Sequence, residues 1–192
     1  MGGSHHPVQS EEVLALGKED DRSLDRFAIR KGGPRDVPVI LGFIRELAEY
    51  EGIGHRVTAT EKGLLDTLFG DAPAAETALA MVDGKPVGFA VFYHTFSTIL
   101  GKRGLHLDDL YISPRWRGKG LGTALLRWLA RLAVERDCGR FEWWCMKDNA
   151  SALEFYEKIG ALKHDEVFIL RMQGETITSF AEGGKVTPPG EN

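Results

Sequence analysis

YISPRWRGKGLG (residues 111–122) joins an apolar, strand-like run to a long amphipathic one, with Gly118, Gly120 and Gly122 between them. Glycines carry no Cβ, so backbone N–H groups in such a loop can turn inward toward a ligand. The helix that opens near Gly120 adds the unpaired amides of its first turn and the positive end of its dipole. Arg115, Arg117 and Lys119 supply further positive charge. The combination describes a pyrophosphate cradle. Two other glycine motifs fail on spacing. A P-loop needs Gly-Lys followed by Ser or Thr, and a dinucleotide fingerprint needs Gly-x-Gly-x-x-Gly, whereas this loop reads Gly-Lys-Gly-Leu-Gly.

Working outward, the elements alternate. The residues after the loop, 121–139, form the strongest helical pattern of the chain. Before it, GLHLDDLYIS (104–113) predicts a strand. Upstream, two apolar β-rich runs flank Asp83-Gly84, the signature of a hairpin. Val37, Ile40, Leu41, Ile44, Leu47 and Ala48 recur at helical spacing, with the start confined by Pro34 and Pro38. Residues 60–70 predict a second, shorter helix stopped at Gly70, and 26–31 a first strand. Downstream, 140–146 predicts a strand, 149–161 a helix ending at Gly160, and 166–172 a last strand. This order fits a single α/β domain with a mixed sheet over residues 26–173, between a polar tail (1–25) and a Gly/Pro-rich arm (174–192).

Composition narrows the partners. The chain has 192 residues, with 28 acidic against 24 basic side chains and a net charge of −4. That balance argues against nucleic acid and suits a cationic small molecule. Two cysteines, Cys138 and Cys145, make no disulfide framework, so a cytoplasmic protein is expected. No apolar run approaches the ~20 residues of a membrane span. No metal site is expected, since the adjacent His5 and His6 have no further ligand cluster beside them.

RGKGLG (117–122) is similar to the cofactor signature of the GNAT family of N-acetyltransferases, and NASALEFYEKIGA (149–161) resembles that family's downstream segment, with Asn149, Ala152, Tyr156 and Gly160 in register. The resemblance runs from about Phe27 to Met172. Within the family, IRELAEYE (44–51) and the stretch from 92 to 122 most resemble the diamine (spermidine/spermine) and thialysine acetyltransferases. The resemblance implies the GNAT fold, a central mixed twisted sheet flanked by helices, and acetyl-coenzyme A as acetyl donor. It implies that Leu110, Tyr111, Ile112, Arg117, Gly118, Lys119, Gly120, Leu121, Gly122, Thr123, Asn149 and Ala152 hold the cofactor. Tyr50, Glu51, Asp108, Glu142, Trp143 and Trp144 would meet the amine. It further implies a homodimer, with Tyr50, Glu51 and the 95–103 insertion near the partner; Phe96, Ile99 and Leu100 are the apolar residues of that insertion.

The chemistry required of such a site can be argued from the residues. An alkyl amine titrates near ~10.4, so at neutral pH it is a cation without a nucleophilic lone pair. A carboxylate can attract it and take its proton. Asp108 and Asp109 are adjacent in an apolar strand that leads into the cofactor loop. Alternation sends them to opposite faces unless a bulge intervenes. The resemblance gives the role of base to Asp108, where the similar enzymes carry the longer Glu, and that of general acid toward the leaving thiolate to Tyr156. Backbone amides near Leu110–Ile112 are the candidates for the developing oxyanion. His94 and His106 read as structural strand histidines, and Cys145 as a small apolar residue rather than a nucleophile. Protein N-terminal or lysine acetylation, and acyl-coenzyme A binding without catalysis, are the alternative functions.

Overall fold

A computed structural model describes residues 27–184. The polar tail and the end of the C-terminal arm lie outside them. The chain packs as two compact units, one up to Trp144 and one from Cys145 onward.

The first unit is a five-stranded sheet in sequence order: β1 (Phe27–Lys31), β2 (Glu76–Val82), β3 (Lys85–Ser97), β4 (Lys102–Ile112) and β5 (Arg140–Trp143). The first three pairings are antiparallel and β4–β5 is parallel. A parallel pair needs a crossover, supplied here by helix α3 (Leu121–Glu135). Helices α1 (Val37–Tyr50) and α2 (Glu61–Phe69) occupy the connection between β1 and β2. Asp83 and Gly84 both have positive φ, 50° and 72°, as a two-residue type I′ hairpin requires.

The two sheet faces are covered by different helices. Ile40 and Phe43 of α1 pack with Leu79, Met81, Phe89 and Tyr111, and Leu64 and Phe69 of α2 join them. On the other face Phe92 meets Trp128 of α3 edge-on, with ring centroids 6.1 Å apart. The C-terminal end of α3 is tied to the sheet on the same face, where Arg136 makes a bidentate ion pair with Glu76 of β2. The expected 95–103 insertion is the tip of the β3–β4 hairpin, with Phe96, Ile99 and Leu100 all exposed.

Most expected elements form, with shorter ends. α3 stops at Glu135 instead of Gly139, because Asp137 enters the left-handed region at φ 52° and turns the chain into β5. β5 covers only 140–143 of the predicted 140–146.

The second unit contains α4 (Ala150–Lys158) and α5 (Glu175–Ala181). The strand expected over 166–172 is not formed. That segment has no regular structure, and Val167, Phe168, Ile169 and Leu170 are exposed. Among its described residues the unit holds no strand for it to pair with, and a lone strand leaves its backbone donors and acceptors unmatched. α5 lies in what the sequence suggested was an arm.

Candidate active site

β4 is the spine of the site. Its pairing with β5 ends at Leu107 opposite Trp143, while its pairing with β3 continues to Ile112 opposite Gly88. From Asp108 onward, one edge of β4 therefore has no strand beside it among the described residues. Leu110–Ile112, the expected oxyanion and cofactor contacts, lie on this unpaired stretch, and the glycine loop follows directly.

The loop fits a pyrophosphate-bearing cofactor. Gly118 and Gly120 have φ of 74° and 80°, and nothing lies within 4 Å of where a Cβ would stand at either. Gly120 is the N-cap of α3 and makes no side-chain cap, so the first amides of the helix, at Leu121, Gly122 and Thr123, are not capped by it. Arg115 and Lys119 both stack on Trp116, with 5.3 and 5.0 Å to the ring centroid. Replacing Gly120 by Val should weaken acetyl-coenzyme A binding at least ~10-fold, because a β-branched residue is strained at positive φ and its methyls enter the cradle. Titration calorimetry on the folded variant checks this; unchanged affinity would remove the loop from the cofactor site.

Arg117 is engaged differently from its neighbours. Its Nε donates to the Ile112 carbonyl at 2.9 Å, and its guanidinium stacks on Tyr50 at 4.4 Å and Tyr111 at 5.4 Å. It joins the loop to the end of α1. Tyr111 in turn donates through its hydroxyl to Glu46 at 2.8 Å. Burial, and then that hydrogen bond, push the Tyr111 phenol up, so it stays neutral.

The two aspartates are separated by a bulge. Val91 pairs with Asp109 and Phe92 with Leu107, so Asp108 is the extra residue of β4. Asp108 is exposed and Asp109 is partly buried. Asp109 lies on the α1 face with Val91 and Tyr111. Burial, then the charges of Asp108 and Glu51, push its carboxyl up from 3.8 to about 6. Glu51, the C-cap of α1, thus shares one negative cluster with the aspartate pair.

The other expected amine contacts divide. Glu142 accepts from Thr95 Oγ1 at 3.2 Å and pairs with Arg140 at 3.1 Å. Trp143 packs on Phe141, with centroids 5.0 Å apart. Trp144 turns to the opposite face and meets the His106 ring edge-on at 4.9 Å. Tyr50 is exposed beneath Arg117. His94 faces α3 and lies 3.4 Å from Arg136, away from the aspartates. Burial and the Arg136 charge hold its pKa down.

In the second unit, Asn149 caps α4, its side chain accepting from the Ala152 amide at 3.2 Å. Tyr156 packs on Phe155 at 5.4 Å. Burial, then the charge that Cys145 carries once ionised in the alkaline range, raise its phenol above 10, so it is protonated at neutral pH. Burial and Asp148 likewise raise Cys145, which leaves it a thiol rather than a nucleophilic thiolate. Among the described residues no cluster of three metal-ligating side chains occurs, and no helix is long and apolar enough to cross a membrane.

Three features of the site had no clear sequence signal: the bulge at Asp108, the stacking of Arg117 on Tyr50, and the burial of His106. The first has a faint one, since paired acidic residues in an apolar strand cannot both be solvated by simple alternation.

A profile of the acetyltransferase (GNAT) family matches residues 43–161. The thialysine N-epsilon-acetyltransferase of Mus musculus is 31% identical over 164 residues, spanning 80% of this chain and 96% of that protein. The L-ornithine N5-acetyltransferase NATA1 of Arabidopsis thaliana is 26% identical over 197 residues, spanning 79% and 86%. Among solved structures, an integron cassette protein from the mobile metagenome of V. cholerae superposes with a TM-score of 0.70 at 26% identity, over 81% of this chain and 98% of that one.

Proposed function

The chain belongs to the acetyltransferase (GNAT) family, an acetyl-coenzyme A-dependent N-acetyltransferase, and from that premise we propose that its acceptor is a small aliphatic amine carrying a second cationic group: a diamine, a polyamine or a lysine-like molecule. The observation that carries the proposal is the carboxylate cluster of Glu51, Asp108 and Asp109 at the point where β4 loses its β5 partner. One ammonium is enough for acetyl transfer. Three acidic groups exceed what that single cation needs. The similar enzymes named for thialysine and ornithine act on molecules of this type, which supports the reading.

Bound acetyl-coenzyme A supplies an activated thioester carbonyl and a thiolate leaving group. In this proposal the amides of Gly118–Thr123 hold its pyrophosphate, with Lys119 adding charge and Arg117 fixing the loop. Asp108, exposed on the bulge, and Glu51 draw the cation in. Asp109, whose carboxyl titrates at about 6, takes the proton from the ammonium at its carboxylate oxygen. A backbone N–H on the unpaired edge of β4 meets the developing oxyanion. Tyr156 holds a proton on its hydroxyl for the departing sulfur.

The test compares propane-1,3-diamine with propylamine. At low salt kcat/KM should favour the diamine by ~10-fold or more, and the ratio should shrink as salt approaches 1 M, where the screening length falls to about 3 Å. Equal kcat/KM for the two amines at low salt would remove the second cation from the proposal while leaving acetyl transfer intact.

A further inference from the structure

Phe43, Glu46 and Tyr50 are spaced three and four apart along α1, so they share one face of the helix. All three meet the end of β4 or the loop that follows it. Phe43 packs on Tyr111 with ring centroids 5.9 Å apart, Glu46 accepts from the Tyr111 hydroxyl, and Tyr50 lies under the Arg117 guanidinium. Burial falls away along this face. Ala48 is the last buried residue of α1, and Tyr50 and Glu51 are exposed. The chain leaves the helix through Gly52 at φ 74°. Gly52 donates to the Glu49 carbonyl and Ile53 to that of Ala48, the paired bonds of a Schellman stop. Those bonds join residues of the same turn. They fix its shape and not its place against the sheet.

Arg117 supplies a tie to the sheet. Arg115 and Lys119 stack on Trp116, a neighbour in their own loop. Arg117 instead reaches a helix far away in sequence. Its Nε holds the Ile112 carbonyl at 2.9 Å, while its plane covers Tyr50 at 4.4 Å and Tyr111 at 5.4 Å. A lysine would offer a phosphate the same charge. A flat stack combined with a fixed Nε donor needs a guanidinium. Glu51 follows Tyr50 directly, and it is the member of the acidic cluster that α1 carries.

We propose that Arg117 is a positioning residue of the amine site: by clamping Tyr50 to the end of β4, it sets the last turn of α1, and with it Glu51, against Asp108 and Asp109, where the second cation of a diamine is held. The inference rests on the reading of that cluster as the diamine site. Arg117 touches neither the reacting atoms nor the second cation and acts through Tyr50. Selectivity for the diamine thus depends on an arginine of the cofactor loop.

The experiment measures steady-state kinetics with acetyl-coenzyme A and either propane-1,3-diamine or propylamine. The 192-residue chain is compared with Tyr50→Leu, Tyr50→Phe, Arg117→Lys and the double variant Tyr50→Leu/Arg117→Lys. Tyr50→Leu removes the stack and leaves the Arg117–Ile112 bond in place. It should raise the KM for the diamine about fivefold, the upper end for a cation–π contact at an exposed site. The KM for propylamine, the KM for acetyl-coenzyme A and kcat should each stay within about a factor of two. Arg117→Lys keeps the charge and should raise the diamine KM by a similar factor. Tyr50→Phe keeps the ring face and should recover most of what Leu loses. The double variant should be no worse than the worse single one, because both remove the same contact. Tyr50 and Arg117 are exposed; if Arg117→Lys fails to fold, the two Tyr50 variants carry the test. A parental diamine KM in Tyr50→Leu, an equal rise for propylamine, or losses that add in the double variant overturns the clamp and leaves the acidic-cluster reading standing. Tyr50→Phe as impaired as Tyr50→Leu shows that the hydroxyl itself meets the amine, and also overturns it. A parent protein that does not distinguish the two amines overturns both.

Discussion

Asp109→Asn is expected to lower kcat/KM for an amine by about 10²- to 10⁴-fold, the range spanned by loss of a positioned general base. The amide has nearly the shape of the carboxyl but cannot take a proton. The same change should stabilise the protein at neutral pH. Asp109 titrates at about 6 in the fold against an ordinary 3.8. A raised carboxyl binds its proton more tightly in the folded state than in the unfolded one. Asp109's own contribution to stability is therefore greatest below pH ~4 and is lost as pH rises through about 6. The gap corresponds to at most ~3 kcal/mol at neutral pH. Melting curves should show Asp109→Asn above the parent at pH 7.5 and the two converging at pH 4. The pH profile follows the same sign: parental kcat/KM falls as pH drops through about 6, where the carboxylate is protonated, and the residual activity of the variant has no such limb. A variant with parental kcat/KM would instead return the role of base to Asp108, the position indicated by resemblance.

Tyr156→Phe should reduce kcat by about 10²-fold and leave the KM for acetyl-coenzyme A within a factor of two. The change deletes one hydroxyl and keeps the ring that packs on Phe155. The effect is placed at the low end of acid catalysis for a physical reason. An ordinary thiol titrates near ~8.5, whereas this phenol lies above its usual 10, so full transfer to the thiolate is uphill and the hydroxyl acts by hydrogen-bonding the sulfur as its charge grows. The phenol thus helps during bond cleavage and not before it. Steady-state kinetics on both substrates check the split. A rise in the KM for acetyl-coenzyme A with kcat unchanged would make Tyr156 a cofactor contact only.

What the sequence made legible was local. The Asp83-Gly84 hairpin, the Asn149 cap, the glycine loop and the α3 pattern each depend on neighbours within a few residues, and each forms. Pairing was the weaker guide. EVFILRM has the composition of a strand, but composition does not supply a partner, and the segment stays irregular and exposed. The site divides along the same line. Position along β4 was evident, because Asp108 and Asp109 precede the loop directly. Which of them is buried depends on a bulge set by register against β3, a contact between residues that are distant in sequence. Arg117 looked like one more cation for phosphate until its stacking on Tyr50 joined the loop to α1. The burial of His106, with its Nε2 unpaired among the described residues, shows only when every neighbour is in place.

The most direct measurement is the stoichiometry of product formation when the purified 192-residue chain is given acetyl-coenzyme A and propane-1,3-diamine. Free thiol and mono-acetylated diamine should appear together, one for one, at a rate far above thioester hydrolysis without amine. Thiol release that no small amine accelerates, in a protein that still binds acetyl-coenzyme A, would contradict a small-molecule acceptor and leave a protein acceptor or a purely binding role.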